Sequence, residues 1–250
     1  MFLDSYAGLY TPLTHPVGRR GAHRPLSVPL ALWLGSILSL LPAACTPEAA
    51  DPNPGDDDST VAECRSCAGD WLISTPAELE TATECEQVEG NLTLSTAPEA
   101  DLDLALLSCL RSVAGDLDIV DNEGLTSLTG LGALTTVGGD LEIRDNQSLQ
   151  SVTGLEGLAE VGGSVTISWN PVLENLAGLA TVAQVGDSIT ISLNGMLTEI
   201  GGFQALSSVP GDLSISRNNE LQGLAGLEAL TSVGGDLEID ENPSPEQEKI

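Results

Sequence analysis

Apolar residues recur along this chain with an unbroken period. Valines stand at 113, 137, 161, 185, 209 and 233, each 24 residues after the last, and the residues between them align without gaps. With each valine counted as position one, position five is Leu117, Leu141, Val165, Ile189, Leu213 and Leu237, and position seven is isoleucine from Ile119 to Ile239. Apolar residues two apart, separated by polar ones, predict a short strand buried on one face. Position ten is asparagine throughout: Asn122, Asn146, Asn170, Asn194, Asn218 and Asn242. Further round each unit come Leu125, Leu149, Leu173, Leu197 and Leu221, then Gly130, Gly154, Gly178, Gly202 and Gly226. A unit of this length cannot bury its own apolar face, so the units must stack and share a core. The pattern predicts an all-β parallel β-solenoid of about eight coils, regular from 113 to 242.

Each fixed position has a physical expectation. The glycine would take a positive φ or line a corner too tight for a Cβ. The asparagine would donate its amide to carbonyls of its own turn and of the next coil, a structural ladder rather than a row of ligands.

Two degraded units precede the regular ones. Val88-Glu-Gly-Asn-Leu92-Thr-Leu94 carries one extra residue before Val113, and Cys67-Ala-Gly-Asp-Trp71-Leu-Ile73 heads a shortened unit. Cys67 takes the valine position and Cys85 the apolar position of Leu134 and Leu158, so both point inward in adjacent turns. Four cysteines allow three connectivities. This alignment favours Cys67 with Cys85, leaving Cys64 with Cys109, as staples of a cap over residues 64–112. Cys64-Arg-Ser-Cys67 as half of a zinc site or a redox pair lacks a second such motif.

Residues 1–44 read as an export signal. Arg19, Arg20 and Arg24 precede an apolar stretch from Leu26 to Leu41 that ends in Pro42-Ala43-Ala44-Cys45. The stretch is short for a spanning helix and contains Pro29. Small residues before a cysteine resemble the lipobox of bacterial lipoproteins, which implies lipidation of Cys45, although Pro42 stands where that motif usually has leucine. A secreted protein cut nearby is the alternative. The long basic region suits a start downstream, at Val17. Residues 45–63, with Asp51-Pro-Asn-Pro-Gly-Asp-Asp-Asp58, read as a disordered acidic tether. Residues 243–250 form an acidic, proline-containing tail that would discourage end-to-end pairing of solenoids.

Composition then narrows the chemistry. Aromatic residues are only 3% of the chain, and 8 Lys+Arg stand against 37 Asp+Glu, which argues against nucleic acid or an anionic membrane surface as partner. Cleavage before Cys45 would remove both histidines and both tyrosines, leaving 5 basic and 36 acidic residues, a net of −31. Without histidine there is no Ser-His-Asp arrangement, no imidazole ligand and no ordinary general base near neutral pH.

Each unit also supplies the second half of the leucine-rich repeat, as in Leu141-Glu-Ile143-Arg-Asp-Asn146. Glycine stands where the first leucine of that repeat belongs, and the leucine after asparagine comes one residue late. The combination, with Cys85-Glu-Gln-Val-Glu-Gly-Asn-Leu-Thr-Leu94 as a cysteine leading into the first strand, resembles the receptor L domain of insulin-receptor and epidermal-growth-factor-receptor ectodomains, and related bacterial lipoproteins. The resemblance covers about Cys64 to Asn242. It implies a leucine-rich β-solenoid and leaves the ligand open.

Stacked coils about 4.8 Å apart would align their outward residues in rows. One row is Asp116, Asp140, Ser164, Ser188, Asp212 and Asp236; the next is Asp118, Glu142, Thr166, Thr190, Ser214 and Glu238. Unit charges at that spacing repel by roughly 1 kcal/mol even in water. Cations or a partner would offset this cost, and calcium bridging neighbouring carboxylates is the one cofactor the rows suggest. Between the acidic ends lies an uncharged strip of Ser164, Thr166, Ser168, Ser188, Thr190 and Ser192, with Trp169 and Leu193 just after it. Two threonine ranks are too few for an ice-binding array. Trp169 taken singly is expected to pack a corner. The sequence therefore predicts a surface-anchored, non-catalytic recognition or adhesion module for an extracellular or envelope protein or glycan, touching the membrane only through its N-terminal lipid. A purely structural envelope spacer is the alternative. A hydrolase would have to rely on a carboxylate pair such as Asp118 and Glu142.

Overall fold

The computed structural model describes residues 64–96 and 102–242. The export segment, Cys45, the tether and the 243–250 tail lie outside the described residues. Eight strands, Trp71–Ile73, Leu92–Leu94, Leu117–Val120, Leu141–Arg144, Val165–Ser168, Ile189–Ser192, Leu213–Ser216 and Leu237–Asp240, form one parallel sheet in chain order. About seven turns of a solenoid connect them. A second parallel sheet joins Arg65–Cys67, Cys85–Val88, Ser112–Val113, Thr136–Val137, Glu160–Val161 and Gln184–Val185, while Ser208–Val209 pairs with Ser232–Val233. Register follows the period: Leu117 faces Leu141, and Val165 faces Ile189.

The apolar positions of each coil converge on one core. In the coil that begins at Val137, that valine and Leu141, Ile143, Leu149, Val152, Leu155 and Leu158 are all buried. Both expectations for the corner glycine occur, in different coils. Gly130 and Gly154 have φ of 121° and 113°. Gly178 has no positive φ, but a Cβ on it would lie 2.2 Å from the Val152 carbonyl oxygen.

The asparagines from Asn122 to Asn218 are buried, Asn242 is half-buried, and together they form a ladder, with one correction to its direction. Asn170 donates its amide to the Ser168 carbonyl in its own turn at 3.0 Å and to the Ile143 carbonyl of the preceding coil at 2.9 Å. The following coil is reached differently: Asn194 Oδ1 accepts the Asn170 backbone N–H at 3.1 Å. Each side chain thus serves the backbone of its own turn and of the coil before, and meets the coil after only where its amide donates to the next asparagine Oδ1, as Asn170 does to Asn194 at 3.2 Å. Buried polar groups so fully partnered cannot serve as a row of ligands.

The two ends differ. At the N-terminal end Cys67 bonds Cys85 and Cys64 bonds Cys109. Helix Pro76–Thr81 starts at a Thr75/Glu78 capping box and buries Leu79. A backbone hydrogen bond from Ser74 is the main cause that lowers the Glu78 carboxyl below its usual pKa. Such disulfides point to an oxidising, extracellular environment. At the C-terminal end the core is open: Leu237 and Ile239 are 59% and 44% exposed, whereas Leu213 and Ile215 at the same positions one coil earlier are 2% and 0%. Among the described residues no helix is long and apolar enough to cross a membrane.

Candidate functional site

The row from Asp116 to Asp236 is largely occupied by backbone. Asp116 Oδ1 accepts the Asp140 N–H at 2.8 Å, and Asp140 Oδ1 accepts the Ser164 N–H at 2.7 Å. Ser164 Oγ accepts the Ser188 N–H at 3.4 Å, Ser188 Oγ accepts the Asp212 N–H at 3.0 Å, and Asp212 Oδ1 accepts the Asp236 N–H at 2.7 Å. The series begins in the cap, where Asp70 accepts from Asn91 and Asn91 from Asp116. It is a second side-chain ladder, parallel to the asparagine one. Ser164 and Ser188 are therefore tied into the corner rather than offered to a ligand. The sequence signal was present, since Asp, Asn and Ser are the residues that accept from a neighbouring amide.

The next row is better placed. Thr166 and Thr190 lie side by side in the sheet and are half-buried, with Ser214 following. Of the last two serines of the uncharged strip, Ser192 is half-buried but Ser168 is only 8% exposed and offers little surface. On the acidic side, Asp118 and Glu142 are register partners, yet each is already engaged. Asp118 accepts the Thr93 hydroxyl at 3.3 Å, and Glu142 accepts Arg144 Nε at 2.8 Å. The Arg144 pKa is raised, first by its hydrogen bond to Asp145 and then, against desolvation, by Glu142. Among the described residues no three acidic, histidine or cysteine side chains are grouped so as to hold a metal ion.

No protein-family model matches this chain, and no curated protein or solved structure matches it significantly.

The feature missed from sequence is the backbone at position nine. Asp121, Asp145, Trp169, Leu193, Arg217 and Glu241 all have positive φ, between 48° and 59°. This left-handed region costs a residue with a Cβ roughly 1–2 kcal/mol, least for Asp and Asn. Asp121 and Asp145 suit it, and two aspartates at one repeat position were the available hint. Trp169 does not suit it, and its expected role as a corner packing residue is overturned: it is 55% exposed. Leu193, in the adjacent coil, takes the same conformation at φ 59° and is half-buried. Trp169 and Leu193 directly follow the strands Val165–Ser168 and Ile189–Ser192, which carry the half-buried Thr166, Thr190 and Ser192. Beyond Leu193 the surface dips into a shallow groove of about 850 Å³, lined by Arg217, Asn219, Ile239 and Glu241 among others. The arrangement can stack an indole on a flat ligand, cover an apolar edge and hydrogen-bond through hydroxyls.

Proposed function

We propose that this chain is a non-catalytic recognition or adhesion module, held at the outer membrane or cell surface by a lipid on Cys45, which presents the face around Trp169 to an extracellular or envelope protein or glycan. The observation that supports it most is the exposed indole itself. A large apolar side chain here carries both a conformational cost and a solvation cost, where Asp145 in the coil before carries a smaller conformational cost and no apolar exposure. An aromatic beside hydroxyls is the composition of a binding patch rather than of a solvated edge. The receptor L-domain resemblance is compatible with this reading and leaves the ligand open, because such solenoids host many ligands.

The chain released at Cys45 would retain two tryptophans, Trp71, which is buried, and Trp169. Titration with glycans and cell-envelope fractions, with and without calcium, should therefore shift the fluorescence of Trp169 alone. Trp169→Ala, and the pair Thr166→Arg with Thr190→Arg, should each weaken the binding by at least about tenfold. Binding that both variants leave unchanged would remove this face and favour the envelope spacer. Hydrolytic activity lost on mutating Asp118 and Glu142 would revive the enzyme. Fatty-acid labelling should vanish in Cys45→Ala, and retained label would reject the lipid anchor.

A further inference from the structure

The open C-terminal end carries a different interaction, which shares with the Trp169 face only the groove beside Leu193. Strand Leu237–Asp240 pairs on one side with Leu213–Ser216 and has no strand on its other side among the described residues. In earlier coils the backbone groups at these positions point at the coil that follows. Leu213 donates its N–H to the Asp236 carbonyl at 2.9 Å, and Leu193 donates to the Ser216 carbonyl at 3.2 Å. Leu237 and Glu241 occupy those two positions in the last coil, so their N–H groups face the open end. Beside them Leu237 and Ile239 expose the side chains that every earlier coil buries. An edge with free donors and an apolar stripe is a template for an added strand.

Charge decides what can add there. Asp236, Glu238, Asp240 and Glu241 are exposed around the edge, and Arg217, the only basic residue between 195 and 242, is already paired with Glu241. A second copy of the same edge would set these carboxylates against their own counterparts, at roughly 1 kcal/mol for each close pair even in water. The following residues, Pro243-Ser-Pro-Glu-Gln-Glu-Lys-Ile250, begin with two prolines, lack apolar alternation and add two more carboxylates. Alternation in a strand fixes the complement. Residues stacked on Leu237 and Ile239 must be apolar, and residues beside Glu238 and Asp240 should be cationic.

We propose that the edge Leu237–Asp240 is a docking site for an extended segment of another protein that is apolar at alternate residues and carries Lys or Arg between them. The groove toward Leu193 gives room for the side chains that run past Asp240.

The probe is a fluorescent ten-residue peptide of alternating valine and lysine, titrated into the full chain. Saturable binding is expected, weakened at least tenfold when its lysines become glutamates and lost when the same residues are segregated into a valine block and a lysine block. Leu237→Pro, which removes an edge donor at a strand start, and Ile239→Lys should each weaken binding at least tenfold with the circular dichroism spectrum unchanged. Hydrogen exchange on the unmutated chain avoids any doubt about folding: the peptide should protect the amides of Leu237 and Glu241. Equal binding of the lysine and glutamate peptides, protection confined to other coils, or binding that survives both variants would overturn the proposal. A peptide-free dimer abolished by Ile239→Lys would assign the edge to a second copy and overturn it too. Binding that appears only when the chain is shortened to Asn242 would assign it to the tail, with the same consequence.

Discussion

Asp187 is the exception that explains its neighbours. Position three is glycine in the other regular coils, and a Cβ on Gly139 or Gly163 would lie 2.1 or 2.0 Å from the carboxylate of Asp116 or Asp140 in the coil below. Under Asp187 that carboxylate is absent, because the residue below is Ser164, whose shorter side chain instead meets Asp187 Oδ2 at 3.5 Å. The second ladder thus crowds position three, and the crowding is relieved above Ser164 but not above Ser188, where a Cβ on Gly211 would lie 2.3 Å from both Ser188 Oγ and Asp187 Oδ1. Gly163→Ala should cost about 2 kcal/mol through overpacking. Combined with Asp140→Ser, the penalty should fall by at least about 1 kcal/mol, measured as a coupling energy in urea unfolding. Strictly additive effects would mean that the backbone, not the carboxylate, is the obstacle.

At the scale of elements, the two ends of the stack are built to opposite rules. The N-terminal coil is short, setting Trp71 opposite Leu92 only 21 positions later, and it is held by disulfides that span 45 and 18 residues. In the loop-entropy picture each such bridge stabilises by about 3–4 kcal/mol. Coils contact only their neighbours, so this stabilisation should be felt locally. Replacing Cys64 and Cys109 together by serine should speed hydrogen exchange at Trp71–Ile73 and Leu92–Leu94 far more than at Val165–Ser168. A uniform acceleration would show instead that the whole stack unfolds as one unit. The last coil has no staple among the described residues, and its exposed Leu237 and Ile239 leave it the least stabilised.

The 250-residue chain carries a formal charge of −29, and within the stack like residues align at the strand spacing. Four ion pairs among the described residues do not balance it: Arg111 with Glu86, Arg144 with both Glu142 and Asp145, and Arg217 with Glu241. Stability should therefore be limited by repulsion along the rows. Raising salt from 0.01 M to 1 M shortens the screening length from about 30 Å to about 3 Å, so Tm should rise across that range. A falling Tm would mean that the few ion pairs outweigh the repulsion.

The sequence by itself determined the solenoid, its period and its inward residues, and favoured one disulfide pairing of three, because stacking forces equivalent residues of successive coils into contact and a repeat records that contact directly. The pairing of Cys67 with Cys85 followed from the positions that valine and leucine hold in later coils. What lies between coils was decided only by the tertiary structure. Oδ1 of one asparagine serves the backbone N–H of the coil before, and one aspartate serves the coil after. Neither direction can be read from a residue's own neighbours in the chain. The sign of φ at Trp169 is likewise set by how the strand must turn into the next side of the coil, and it converts an expected packing residue into an exposed one. Exposure of Leu237 and Ile239 is a third case: their letters match the buried Leu213 and Ile215, and only their place in the stack separates them.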